Sequence, residues 1–206
     1  LHWYGPGVMA AMLPDGTAVT LEQTTAYPRE DRVTLAVAPA QPAEFTLQLR
    51  IPRWSAQTRV AVNGEVIPQV EPGTYLPLTR VWRGDTVEID LDFSLHAWTG
   101  ARECAGLASL YRGPLLLTYD RRFNDMDPDD VPALDARGPA PRVVAWPGRI
   151  PPILLLECPA VDGRTVRLCD FGSAGEGGTP YRSWLSVQGS ETLPQPYATC
   201  LEERTV

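Results

Sequence analysis

The chain has 206 residues, 18 basic and 25 acidic side chains, two histidines and a formal net charge of −7. A chain this long buries about 70% of its unfolded surface, which supplies a core for one or two domains without help from metals or disulfides. The acidic balance argues against nucleic acid and anionic lipid as partners, and no run of 18 apolar residues is present to span a membrane.

The opening Leu1-His2-Trp3-Tyr4 lacks the basic flank and apolar run of a signal peptide. It also lacks an initiator Met, which fits a mature product or a piece cut from a longer chain. Proline and glycine recur almost every ten residues, and the longest stretch free of both is Asp85–Thr99. Helix interiors tolerate neither residue well, so strands are expected instead. Val33, Leu35 and Val37 alternate with polar or small residues. So do Phe45, Leu47, Leu49 and Ile51, and again Val87, Ile89, Leu91 and Phe93. This period of two places one strand face on a core and the other in water, as in antiparallel sheets. Asn63-Gly64 between Val60–Val62 and Glu65–Ile67 predicts a tight hairpin, because both turn residues accept positive φ. Asp162-Gly163 predicts another between Ile153–Cys158 and Thr165–Cys169, and Arg83-Gly84-Asp85 turns the chain into the strand that follows. The stretch 120–148 reads as a long irregular excursion. Gly172–Pro180 reads as a glycine-rich loop ahead of a strand over Tyr181–Val187. The fold class expected is all-β, with two antiparallel sandwich domains.

Little in the chain points to chemistry. All 18 basic residues are arginine, so lysine-based Schiff-base or phosphate-loop chemistry is excluded within this chain. The run Asn124-Asp125-Met126-Asp127-Pro128-Asp129-Asp130 has carboxylates at alternate positions, but Asp130 stands where a calcium loop needs Gly and Ala136 where it needs Glu. It reads as a solvated acidic loop. His2 and His96 form no metal site by themselves, and no G-x-S-x-G elbow precedes a serine. Glu103 and Arg102 beside Cys104 are too little to activate a thiol. Cys104, Cys158, Cys169 and Cys200 show no metal spacing and read as reduced, ordinary core thiols. That pattern leaves the compartment open; the cytoplasm is the expectation adopted. A two-residue turn at Asp162-Gly163 would make Cys158 and Cys169 diagonal neighbours, about 7–8 Å apart and too far to bridge. Gly172-x-x-Gly175-x-Gly177-Gly178 lacks the helix behind it that phosphate binding requires. Trp54, Trp82 and Trp184 are candidates for core, interface or a sugar-stacking platform. Asp85, Glu88 and Asp90 are candidates for a glycosidase carboxylate pair by residue type alone. No catalytic, cofactor or metal residue is assigned.

Taken in order, several segments resemble the β-L-arabinofuranosidase family, glycoside hydrolase family 127. Leu21-Glu22-Gln23-Thr24-Thr25-Ala26-Tyr27-Pro28 is similar to its "L-x-Q-x-T-x-Y-P" strand, and Leu49-Arg50-Ile51-Pro52-Arg53-Trp54 to its "L-R-I-P-x-W". Tyr75 with Arg80-Val81-Trp82-Arg83-Gly84-Asp85, then Tyr111-Arg112-Gly113-Pro114-Leu115, and finally Phe171 to Leu185 continue the likeness, with Asp170 where proline is common. The resemblance implies the region after the family's catalytic (α/α)₆ barrel. In the family, zinc and a cysteine nucleophile belong to that barrel and include a Cys-Cys pair that this chain lacks, so no catalytic residue and no cofactor is carried over. It further implies a jelly-roll-like pair of sandwiches, the second inserted into the first: residues 1–103 completed by 188–206, and residues 104–187. The expected role is a non-catalytic accessory region that packs on its own N-terminal barrel, with a homodimer contact as a further expectation. The rival is a module that binds glycan through exposed aromatics.

Overall fold

Alternation of apolar and polar side chains decides almost every element of this chain. The computed structural model describes residues 1–197, and several of its strands follow turns built on Gly, Asn or Asp, such as Asp15-Gly16, Asn63-Gly64, Gly84 and Gly163. No α-helix occurs among the described residues, and none is long and apolar enough to cross a membrane. The chain divides into two compact units, Leu1–Phe93 and Ser94–Val206.

The first unit contains β1 (Gly7–Met12), β2 (Ala18–Thr25), β3 (Arg32–Pro39), β4 (Ala43–Arg50), β5 (Arg59–Val62), β6 (Glu65–Val66), β7 (Tyr75–Trp82) and β8 (Asp85–Asp90). Six of these form one antiparallel sheet in the order β1-β2-β3-β8-β5-β6, while β4 and β7 form a second sheet of two strands. The alternating residues face as their spacing predicts. Val33, Leu35, Val37, Val87 and Ile89 are fully buried on one side of the large sheet, and Leu47, Leu49 and Leu78 are buried on the small one. The two buried faces meet, with β3 lying against β7, which makes the unit a β-sandwich. Each such Leu, Ile or Val contributes about 1.5–3 kcal/mol by leaving water.

The chain passes from the small sheet to the large one at Arg83-Gly84, where Gly84 has φ +96°. Asp85 fastens this corner. Its carboxylate accepts hydrogen bonds from the Arg83 N–H and the Asn63 Nδ2, both at 2.7 Å, and pairs with Arg80 at 3.3 Å. Asn63 and Gly64 both take positive φ, as the hairpin signal requires, and Val62 pairs with Glu65 across them. Burial raises the Asp85 pKa, but the Arg83 N–H, the Asn63 amide and the nearby arginines outweigh it and hold the group below the usual carboxylate range. Asp90 is held low by the Arg32 guanidinium, with Arg59 adding to it.

The second unit contains β9 (Leu95–Thr99), β10 (Ala108–Arg112), β11 (Leu115–Asp120), β12 (Leu134–Asp135), β13 (Arg142–Val143), β14 (Leu155–Pro159), β15 (Thr165–Asp170), β16 (Tyr181–Arg182) and β17 (Val187–Gln188). The main sheet runs β13-β14-β15-β11-β10-β9, with β16 also on β11, and β12 pairs in parallel with β17. The 120–148 excursion is irregular as expected, apart from two single 3₁₀ turns and two short strands. The strand expected over Tyr181–Val187 is two short pieces.

Two expectations are corrected by pairing. The first unit ends at Phe93, not at Glu103, because β9 pairs along its whole length with β10. The 188–206 segment was expected to return to the first sandwich. Its described part instead joins the second unit: Gln188 pairs with Asp135, and the Ala97 N–H donates to the Pro194 carbonyl. Residues 198–206, with Cys200, lie outside the described residues. The Asp162-Gly163 hairpin also differs by one residue. Gly163 donates to Ala160 and Ala160 to Arg164, which closes a three-residue loop, and Cys158 therefore faces Val166. A one-residue slip flips side chains to the other face of a sheet. Cys158 and Cys169 thus point to opposite faces and pack in separate apolar clusters, and both thiols are free.

Because the carboxylates of Asp85 and Asp90 titrate lower when folded than their usual value near 4, their stabilisation is present above that value and fades as pH falls through the folded pKa. The melting temperature is expected to drop between about pH 5 and pH 3, and Asp85→Asn to make that drop smaller. Thermal melts across this range check it.

Candidate docking face

The large sheet of the first unit is wider than the small one that covers it. Its outermost strand, β1, reads Gly-Val-Met-Ala-Ala-Met, and all six residues are exposed. Met9 lies opposite Leu21 and Ala11 opposite Val19, so these two continue the core face of the sheet. Leu21 and Val19 are buried, whereas Met9 is 50% exposed. On the other face, Val8 is 67% and Met12 69% exposed. An edge strand normally carries charge, proline or a bulge to prevent association. This one has none of them.

The N-terminal segment builds a wall beside this strand. Tyr4 is buried, and its hydroxyl donates to the Arg50 carbonyl at 2.6 Å. Its ring meets Tyr27 edge-on, Tyr27 meets Phe93, and Phe93 meets Trp54, so an aromatic chain anchors the segment. His2 Nδ1 shares a hydrogen bond with the Tyr75 hydroxyl. Trp3, between these two anchors, is turned outward and 74% exposed. A groove of about 390 Å³ results, lined by Trp3, Val8, Met9, Leu21 and Gln23 among others. Gln23 Oε1 is shielded from solvent without a hydrogen-bond partner among the described residues. Buried acceptors are rarely left so, and a donor on a docked surface would satisfy it. Exposed apolar surface of this kind is a candidate for contact with another surface.

Among the described residues, those singled out in the sequence lie at separate places in the fold. In the acidic loop, Asp127 pairs with Arg121 at 2.5 Å and Asp129 with Arg182 at 2.6 Å. Asn124 bonds both the N–H and the C=O of Arg167 and so extends the edge of β15. His96 is buried and stacked on Tyr111, with ring centroids 5.2 Å apart. Cys104 sits in a 3₁₀ turn beside Arg102 and Glu103. Burial pushes the thiols of Cys158 and Cys169 up to about 12, so neither is a nucleophile near neutral pH. Asp85 lies on the core side of β8, while Glu88 and Asp90 lie on the outer side, with Asp90 held by arginines. They do not face one another across a cleft.

Trp54 and Trp82 are core residues. The Trp82 indole N–H donates to the Phe45 carbonyl at 3.0 Å, and its ring stacks on Phe45. Trp184 is half-buried. The glycine-rich loop Gly172–Pro180 is tied down by two buried carboxylates that the sequence analysis did not single out. Asp120 accepts from the Arg122 and Gly175 N–H groups and the Thr179 hydroxyl, at 2.7, 2.9 and 2.8 Å. Asp170 accepts from the Leu154 N–H at 3.0 Å and from both the N–H and the hydroxyl of Ser173. This accounts for an aspartate at position 170, since a proline there has no side-chain acceptor. Elsewhere in the second unit an apolar cavity of about 440 Å³ is lined by residues including Leu110, Leu134, Val187 and Leu193, with Asp135 its carboxylate. That carboxylate already accepts from the Arg137 N–H.

Residues 1–93 match the sequence model of the GH127 middle domain of β-L-arabinofuranosidases. The sequence reading had expected a C-terminal region, and the match is to the middle one. In fold the chain is similar to a glycoside hydrolase, with a TM-score of 0.75 and 22% identity over 90% of this chain and 35% of that one. It is similar to the same degree to a GH127 β-L-arabinofuranosidase from Geobacillus stearothermophilus T6, covering 90% of this chain and 33% of that one. A GH127 β-arabinofuranosidase follows, with a TM-score of 0.73 and 20% identity over 91% and 34%. The chain thus spans about a third of the length of each of these structures. No curated protein matches it in sequence. Among the described residues no group of three or more His, Cys, Asp or Glu is placed to hold a metal. The two buried thiols also point to opposite sheet faces, so these donors do not fit a zinc centre.

Two predictions follow from these positions. Cys158 and Cys169 are expected to stay unreactive toward a thiol reagent in the native protein and to react on unfolding, as a thiol titration with and without denaturant will measure. Trp3→Ser combined with Met9→Ser is expected to change the stability of the chain by less than about 0.5 kcal/mol and to reduce its binding of an apolar dye.

Proposed function

We propose that this chain is the non-catalytic accessory region of a β-L-arabinofuranosidase-like glycoside hydrolase, the part that follows the catalytic barrel. The observation that carries the proposal is the uncharged strand β1, all of whose residues are exposed, beside Trp3, which together form an unsatisfied apolar face next to the start of the chain. The family match of the first unit and the more than twofold length of the similar structures support it. The role is mechanical. An (α/α)₆ barrel packs on this face, and the sandwich steadies the barrel walls against which substrate binds. The parent activity is removal of arabinofuranose from glycans, with zinc and the nucleophile held in the barrel. Contact with a second subunit is a further part of this reading.

The test compares the 206-residue chain with the polypeptide of the complete reading frame, assaying both on an aryl β-L-arabinofuranoside. Activity is expected only in the longer protein, and Trp3→Ser with Met9→Ser in that protein is expected to lower its thermal stability although it leaves the short chain unaffected. Turnover by the short chain, or equal insensitivity of both, would refute the reading. Saturable quenching of tryptophan fluorescence by arabino-oligosaccharides would favour a glycan-binding module instead. The exposed, edge-to-face pair Phe171 and Tyr181 would then be its platform.

A further inference from the structure

The two-stranded sheet of the first unit is incomplete on one side, and its hydrogen bonds show which. Leu1 lies against the outer edge of β4. Its terminal nitrogen donates to the Gln48 carbonyl, and the Arg50 N–H donates to the Leu1 carbonyl at 3.0 Å. Bonds from one residue to the carbonyl before and the N–H after its opposite number are the pattern of a parallel pair, here centred on Leu1 and Leu49. The even-numbered residues of β4 therefore turn their backbone groups away from β7, toward the edge on which Leu1 sits. Among the described residues β7 is the one strand paired with β4.

The other side of the sheet is closed to growth. On β7, Leu76, Leu78 and Arg80 face the inward-bonding residues of β4, so Tyr75, Pro77 and Thr79 turn their backbones outward. Pro77 has no N–H to offer there, and proline on an edge blocks a further strand. No proline interrupts β4, whose sequence is Ala-Glu-Phe-Thr-Leu-Gln-Leu-Arg. Burial also lowers the pKa of the Leu1 ammonium. An ordinary peptide N–H makes the same bond to Gln48 with no charge to desolvate.

We infer that the residues immediately preceding Leu1 in the polypeptide form a third strand of this sheet, parallel to β4 and continuing the Leu1–Leu49 register backward along it. This rests on the reading above, in which an upstream domain precedes the chain. The register assigns each upstream residue a neighbour. The residue just before Leu1 lies beside Gln48, the second beside Leu47, the third beside Thr46 and the fourth beside Phe45. Neighbours in parallel strands share a face, so the second and fourth upstream residues lie on the core side and the first and third face water. The strand widens the cover over the large sheet and joins the upstream domain to the sandwich by a hydrogen-bonded segment in place of a free linker.

Hydrogen exchange on the polypeptide of the complete reading frame tests this. The amides of Thr46 and Gln48, which point to the proposed strand, are expected to exchange as slowly as those of Leu47 and Leu49, about 100-fold or more below an open edge. The outward amides of Tyr75 and Thr79 provide the open-edge reference. Thr46 and Gln48 exchanging at that reference rate would overturn the inference, as would charged residues at both the second and fourth upstream positions, or a reading frame with nothing before Leu1. Proline substitution gives an independent measure. Gln48→Pro is expected to lower the melting temperature of the long polypeptide by at least about 5 °C more than Thr79→Pro, and equal effects would refute the strand. Arabinofuranosidase activity of the same preparation reports separately on the functional reading. An active enzyme with fast Thr46 and Gln48 amides loses only the strand, and slow amides without activity lose only the enzyme assignment.

Discussion

Apolar sheet face must be covered, and in this protein the cover is narrower than the face. Six strands of the first unit share one sheet, while two strands make up the other. Beneath the cover, Val33, Leu35, Val37, Val87 and Ile89 are excluded from water. Beyond it, Met9 continues the same row and is half exposed. The mismatch creates the groove, leaves β1 uncharged and open, and gives the N-terminal segment its place as a wall rather than a tail.

Rigidity around the face comes from polar groups used sparingly. Asp85 gathers the Arg83 N–H, the Asn63 amide and Arg80 at the corner where the chain changes sheets. Tyr4 and its edge-to-face neighbours pin the segment before β1. In the second unit, Asp120 and Asp170 do the corresponding work for a loop with too many glycines to hold itself. These carboxylates are taken up by backbone N–H groups and by neighbouring side chains, and so hold the local structure together. Where this molecule concentrates buried charge, it concentrates order.

The tryptophans show how the same residue type serves opposite ends. Trp82 is enclosed between the sheets with its N–H satisfied by Phe45, and Trp54 closes the aromatic chain on Phe93. Trp3 stands in solvent. Nothing in their local sequence separates these cases, because burial of a strand-edge aromatic depends on which other strand arrives over it.

Local rules account for much of this protein without reference to long-range contacts. Period-two alternation identified which residues of β3, β4 and β8 face inward, and Asn63-Gly64 specified its hairpin, because side-chain direction and positive φ are properties of a residue and its immediate neighbours. The absence of an α-helix among the described residues was legible in the spacing of proline and glycine. Tertiary structure decided what depends on partners distant in sequence. It chose β10 as the partner of β9 and so moved the boundary to Phe93, and it drew Gln188 and Pro194 into the second unit. It set the Asp162-Gly163 hairpin one residue from its simplest register, which parted Cys158 from Cys169. It also left β1 uncovered. Pairing energies are nearly the same for many registers and partners, so the choice among them falls to the packing of whole sheets, which no short window of sequence contains.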